Sequence, residues 1–492
     1  MDRDIPSRNT AFNTLPIELN KSIAHYLDSD RDIASFQSVC RATLDATLGD
    51  KLSFWRAKFR ERYAYKKNTT NLVLKKSYQV RQHILRNGTG FHFGMAKTDE
   101  EIKDERKIVG VMRELINESF SGASQLDKNG KPHCPNLAHI AKFAQESRLF
   151  VPSSKRRGPP KAVQREDVRN LAAIRLMASH FLLSTEFSPP VYGVHKSQVA
   201  VYEPTNKAPI FTGPDKTEVN MEWLLHVMNH FRNHMKNHDA GDFCGVWKDL
   251  SYSEKPSPWR IPLEEGCQPL GKHWKSTFSY LDPVSELPKF RLQNGEDENM
   301  VFVDHYVDEG NIQHFKLDSV KGKNLPWPET FEDRLQSHRD TLVPPQSQRE
   351  TRAQKSKSKP TPKQMNEEDK YKSIQLIGDG GDEEDDFVAS GWLQALHPQC
   401  GIPGWQRMTL MKHFLDENNQ PSQDDHLWAY EGVVLPGGRI ILGRWWLATD
   451  PPDFDNDNSG PFIMWAVDGG PEIPNEDEDE DEDEDNVKEN TR

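Results

Sequence analysis

The stretch Trp428–Trp446, WAYEGVVLPGGRIILGRWW, reads as a β-hairpin. Trp428, Tyr430 and Val434 share one side of an alternating pattern, the period of a strand with one face toward a core. Leu435-Pro436-Gly437-Gly438 then supplies type II turn chemistry: proline pre-sets the second position, and glycine at the third adopts positive φ without strain. Arg439–Trp446 runs back. Neighbouring strand residues face opposite sides, so Trp445 and Trp446 divide between two environments. One belongs to the core; the other is placed to line a pocket beside Arg444, whose guanidinium suits a carboxylate or peptide carbonyl. The plainer alternative is a structural tryptophan beside an arginine hydrogen-bonded within a strand pair.

Outward from the hairpin the same period recurs. Met408, Leu410, Lys412 and Phe414 alternate, and Pro461–Val467 is a last strand. Upstream, Trp274, Ser276, Phe278 and Tyr280 alternate with Lys275, Thr277 and Ser279 as a half-buried strand. Val301–Val307 and Ile312–Leu317 are further strands. Six of the twelve tryptophans fall between Trp392 and Trp465, so large aromatic area holds this sheet together. The expectation is an antiparallel β barrel or sandwich, which alternation alone does not separate. It occupies residues 241–332 and 372–470. Between them, 333–371 loses hydrophobicity and gains Lys, Ser, Pro and Gln, the composition of a disordered insertion.

Nearer the N-terminus the period is that of helices. Pro16 suits a first helical turn and Glu18 favours its positive end. Leu19, Ile23 and Leu27 then form one apolar face. Ser29 and its aspartate neighbours cap a second helix carrying Ile33, Phe36 and Val39, and Ser53 caps a third carrying Trp55, Phe59 and Tyr63. Residues 67–240 form a helical block with helices over Glu100–Phe120, Arg165–Phe187 and Asn220–Asn237. The fold class is therefore multidomain α+β: a flexible 1–13, a three-helix unit over 14–66, the helical block, the β-domain, and an acidic disordered tail over 471–492.

At roughly 100–200 residues per domain, 492 residues suggest two to four domains. The formal charge of −13 describes no single surface. Pro471–Arg492 holds twelve acids and two bases, whereas Lys51–Gly90 holds eleven bases and one acid, Glu61. No stretch approaches the ~18–20 apolar residues that span a bilayer. The N-terminus has no apolar signal region, and five dispersed cysteines without C-x-x-C argue against disulfide frameworks and zinc ribbons. A reduced protein of the cytoplasm, the nucleus or both is expected.

Leu15-Pro16-Ile17-Glu18-Leu19, Asp32-Ile33, Phe36, Val39-Cys40-Arg41 and Phe54-Trp55 resemble an F-box in order and spacing, although Thr43 stands where many F-boxes carry Trp. The resemblance implies docking on a Skp-type adaptor, and through it a cullin–RING ubiquitin ligase, by Leu15, Pro16, Ile17, Leu19, Ile33, Val39, Cys40 and Arg41. The C-terminal strings Gly401–Arg407, Trp428–Gly432, Gly443–Trp446 and Ser459–Phe462 resemble those of fungal F-box proteins, and the sheet pattern is similar to a calycin-type barrel. This implies a non-catalytic receptor whose β-domain holds an unidentified protein target, with Trp405, Arg407, Arg444 and Trp445 as target-binding candidates. The alternative is an F-box protein outside any ligase, with a small ligand in its β-domain or a chaperoning acidic tail.

The remaining motifs are weak. His226, His230, His234 and His238 form a stripe at helical spacing, but Val227 stands where a metalloprotease needs glutamate, so a solvated flank is expected and no metal. Asp453, Asp455 and Asp457 begin like a calcium loop, but Asn458 and Met464 stand where glycine and glutamate are needed. Gly378-Asp379-Gly380-Gly381 lacks lysine and runs into acids that repel phosphate. Lys155-Arg156-Arg157 is an exposed basic loop that could serve as a nuclear signal. No catalytic signature and no cofactor are expected, and without a base-reading motif the basic segment reads as the polar face of helices, making nucleic acid an unlikely partner.

Overall fold

The structure is a computed structural model that describes residues 11–66, 68–95, 98–122, 125–126, 132–151, 162–183, 192–293, 302–320, 332–333, 335, 370–381, 385–414, 427–448 and 459–468. The acidic tail, the basic loop at 155–157, the aspartates at 453–457 and nearly all of 333–371 lie outside those residues.

The chain opens on a single turn, α1 (Ala11–Thr14), and four short helices, α2 (Ile17–His25), α3 (Asp30–Gln37), α4 (Arg41–Leu48) and α5 (Ser53–Arg62). Ser29 caps α3 by accepting from the Asp32 amide at 3.0 Å. Helix α4 was not foreseen. Its start is set by Cys40 and Thr43, where the Thr43 hydroxyl accepts from the Cys40 amide at 3.1 Å. Helix α6 (Asn71–Asn87) is tied to this unit by Arg81, buried with its guanidinium over Phe59 and Tyr63 and paired with Glu118 at 2.8 Å. Other bases of the cationic segment meet acids in the same way: Arg62 pairs with Asp28 at 2.6 Å and Arg86 with Asp30 at 3.1 Å.

The block continues through α7 (Asp99–Asn117), α8 (Pro135–Glu146), α9 (Ala162–Ser179), α10 (Val194–Tyr202), α11 (Met221–Lys236) and α12 (Phe243–Asp249). Helix α7 begins with a reciprocal capping box between Thr98 and Glu101. Among the described residues, no helix is long and apolar enough to cross a membrane.

The β-domain is a closed eight-stranded antiparallel barrel: β1 (His273–Tyr280), β2 (Gln313–Val320), β3 (Ile374–Gly381), β4 (Asp386–Ala395), β5 (Gln406–Phe414), β6 (Leu427–Val434), β7 (Ile440–Ala448) and β8 (Ser459–Ala466). Each strand pairs with the one before it, and β8 returns to β1, setting Phe462 opposite Phe278 and Ala466 opposite Trp274. That last pairing decides barrel over sandwich. A short α13 (Leu287–Gln293) lies between β1 and β2, and the expected strand over 301–307 reduces to a two-residue pairing at His305–Tyr306.

The Leu435–Gly438 turn connects β6 and β7 as expected. Gly437 has φ 92, and a Cβ there would meet the Trp259 Cβ at 2.2 Å, so glycine is required twice over. The barrel interior is filled by side chains. Gly432 and Gly443 stand opposite each other on β6 and β7, and this bare spot seats the Phe462 ring, against which Tyr430 packs edge-on at 5.1 Å.

The outer face is equally dry where the helices cover it. Met411, Ala429, Val433, Leu442, Trp446, Ile463 and Trp465 join the same core as Trp223, Leu224, Val227 and Phe231 of α11. The β1 strand, read as half-buried, is buried on both faces from Trp274 to Ser279. Its polar side has partners inside: the Thr277 hydroxyl donates to the Asn311 carbonyl at 2.9 Å, and Lys275 pairs with Glu254 at 3.2 Å.

A methyl group at Gly443 would lie 2.1 Å from the Glu431 carbonyl oxygen and 2.6 Å from the Phe462 ring. Gly443→Ala should therefore destabilise the barrel by about 1–3 kcal/mol through overpacking. A lower urea midpoint is the expected readout; an unchanged one would show that the interior has slack there.

Candidate functional site

The expected docking residues divide by burial. Pro16, Ile17, Leu19, Val39 and Arg41 are exposed, Leu15 and Cys40 half-buried, and Ile33 is in the core beside Phe36. Helix α2 does not bury the face that its apolar spacing indicates. It buries Asn20 and Ala24, leaves Ile23 and Leu27 half-covered, and turns Leu19 (50 % exposed) and Ile17 (41 %) outward. The Asn20 amide donates to the Phe12 carbonyl at 3.0 Å, so the α1 turn pulls a polar residue inward and rotates leucine out. Val39 and Leu44 are also exposed, Leu44 on the neighbouring α4. Several large apolar side chains on one small unit thus meet water, a pattern typical of an interaction surface.

Of the four late candidates, Trp405, Arg444 and Trp445 are buried and Arg407 is half-buried. Trp445 points into the barrel, packed against Phe278 and Trp428, with its indole N–H donating to the Ser279 carbonyl at 3.2 Å. Trp446 points outward into the helical core. Arg444 shares that outward side, lies over the Trp223 ring at 5.1 Å and donates to the Thr205 hydroxyl at 2.8 Å. Arg407 lies over Phe211 at 5.3 Å and pairs with Glu431. Trp405 is also in the helix-facing core. Trp405 and Arg444 thus join the barrel to the helical block, whereas Trp445 fills the barrel.

The barrel flank formed by β2–β5 carries a groove of about 410 Å3, lined by Asp318, Ile377, Asp379, Val388, Ser390 and His413. Ile377 is 43 % exposed. Among the described residues, the buried Ser390 Oγ and His413 Nε2 atoms meet no hydrogen-bond partner. In the sequence these positions are merely the outward half of alternating strands, with no signal to single them out.

The histidine stripe is not solvated, which corrects the expectation. His226, His230 and His234 are buried because α11 is covered both by helices and by the barrel; His238, in the turn beyond, is exposed. His226 stacks on Tyr192 at 3.9 Å, with Nδ1 3.2 Å from the Ser197 hydroxyl. His230 Nε2 lies 3.0 Å from Ser279 Oγ on β1. His234 reaches Asp304 with Nε2 at 3.3 Å and Asp308 with Nδ1 at 3.0 Å. Tyr202 donates to Asp304 at 2.7 Å, and Gln198 donates to the other Asp304 oxygen at 3.0 Å.

Burial opposes a charge on His234, yet hydrogen bonds and charge from the two aspartates carry its pKa up to about 10. Burial likewise opposes an ionised Asp304, and the histidines with the Tyr202 hydrogen bond hold it at about 2. Burial lowers His230 to about 4. The Asp304 loop was invisible in the sequence, since it lies some seventy residues beyond α11 and outside any motif. Comparisons with protein-family models, curated proteins and solved structures give no match.

Two buried histidines outside this cluster predict acid sensitivity. Burial lowers His226 to about 3 and His180 to about 4. Both stay neutral when folded, whereas their unfolded forms take up a proton below about pH 6.5. Their contribution to stability is therefore full above about 6.5 and is lost as pH falls toward 4, by about 1.4 kcal/mol per pH unit for each. A urea midpoint lower at pH 5 than at pH 7 is expected, with a shallower pH dependence in His226→Gln. Equal midpoints in the wild type would contradict the neutral assignment.

Proposed function

We propose that the chain is a non-catalytic substrate receptor of a Skp–cullin–F-box ubiquitin ligase. The observation that carries this reading is the inverted burial of α2, with Ile17 and Leu19 in water and Asn20 inside, on the segment whose residues resemble an F-box. A Skp-type adaptor covering Ile17, Leu19, Val39 and the half-buried Leu15 and Cys40 would remove that apolar surface from water, at about 25 cal/mol per Å2. Ile33 then supports the unit from within. The barrel, similar in pattern to a calycin-type barrel, is the receiving end for a protein target. Its open flank at Ile377, Val388 and Ser390 suits that role better than the buried Trp405, Arg444 and Trp445 or the half-buried Arg407. The chain contributes proximity, raising the effective concentration of target lysines at the conjugating enzyme.

Affinity purification from cells separates the two ends. Ile17→Asp with Leu19→Asp changes only exposed positions and is expected to abolish recovery of adaptor and cullin while leaving the unfolding free energy within about 0.5 kcal/mol of wild type. Ile377→Asp is expected to keep the adaptor and lose the target that accumulates when the proteasome is blocked. Adaptor recovered undiminished with the α2 variant, or never recovered with wild type, would overturn the reading.

A further inference from the structure

We propose that His230, His234 and Asp304 bind a zinc ion where α11 meets the barrel. The three offer one ligand atom each, all within 4.8 Å of one another, and all three residues are buried. His230 and His234 stand one turn apart on α11, so their rings project from the same face, with centroids 4.8 Å apart. Two imidazoles and one carboxylate form a donor set that zinc favours, and bonds of about 2.0–2.2 Å to nitrogen and oxygen put tetrahedral ligand atoms about 3.3 Å apart. The distance from His234 Nε2 to Asp304 Oδ2 is 3.3 Å.

The surroundings are those of a held metal ligand. His234 Nδ1 faces the Ala240 carbonyl at 3.1 Å and Asp308 at 3.0 Å, the outer contact that fixes a ligating histidine's ring and tautomer. Asp308 in turn accepts from the Asp304 amide at 2.7 Å, locking both aspartates in one loop. That loop is pressed onto the end of α11 at Gly241, where φ is 115 and a Cβ would lie 2.6 Å from the Asp308 carbonyl oxygen. The Ser279 hydroxyl, 3.0 Å from His230 Nε2, and the Tyr202 hydroxyl, 2.7 Å from Asp304, offer oxygen for a fourth position. The Asp308 side chain is 21 % exposed, which gives the ion a way in. A proton between His234 and Asp304 uses one histidine; zinc uses both, and replaces that proton on binding. The ion would pin α11 and the Asp304 loop together, a structural role independent of any ligase.

The test uses full-length protein expressed with zinc supplied and then desalted. Elemental analysis is expected to give close to one zinc per chain, and removal by a chelator to lower the unfolding midpoint, restored by zinc alone. His230→Gln with His234→Gln is expected to cut the zinc content at least about tenfold, whereas the exposed His133→Gln leaves it unchanged. Asp308→Asn keeps all three ligands and is expected to bind zinc about 10–100-fold more weakly in chelator competition. If the double variant does not fold, the wild-type stoichiometry and the zinc-dependent midpoint decide. Folded wild-type protein that holds no zinc and whose midpoint neither zinc nor chelator moves would overturn the proposal, as would full zinc content in a folded double variant.

Discussion

Helix α11 has to be buried on nearly its whole circumference, and most of the architecture follows from that constraint. Thirteen of its sixteen residues are buried. One side packs on the outer face of the barrel at β7 and β8, the other on α9, α10 and α12. A helix so placed brings polar groups into a dry interior, where an unpaired group costs about 1–3 kcal/mol. Each therefore meets a partner from another element: His226 on Tyr192 and Ser197, His230 on Ser279, His234 on Asp304 and Asp308. The barrel answers from its side, sending Arg444 over Trp223 and Ser279 toward His230.

The same covering explains why the barrel is buried on two faces. An isolated up-and-down barrel alternates apolar inside with polar outside. Here Trp445 and Trp446 are both dry, one within the barrel and one beneath the helices. Strand β2 keeps the ordinary alternation, and on the open flank Ile377 is exposed with Asp318 and Asp379 beside the groove. The N-terminal helices and the open barrel flank are among the places where the molecule exposes apolar side chains, such as Leu19 and Ile377, with a shared core between them.

How much of this was legible depends on the range of the interaction. Alternation at Trp274–Tyr280 and Met408–Phe414, the Pro436-Gly437 turn and the period of α7 and α11 are local, and the structure carries all of them. Closure of β8 on β1 joins residues nearly two hundred positions apart, and periodicity says nothing about such a pairing. The face of α2 misled because apolar spacing takes no account of a neighbouring turn, and here the α1 turn and the Asn20–Phe12 hydrogen bond decide which face is inside. The histidine stripe misled for the converse reason: histidines at regular spacing look like a polar flank until a second layer covers them. Asp304 had no local signature, and only the fold brings it to α11.

Native-state hydrogen exchange tests most directly whether α11 is the shared core of helices and barrel. The buried amides of Leu224–Met235 should open together with those of β7 and β8, at one common free energy under mild denaturant. Exchange of α11 at markedly lower denaturant, with the barrel strands still protected, would show that the helices merely lean on an independent barrel.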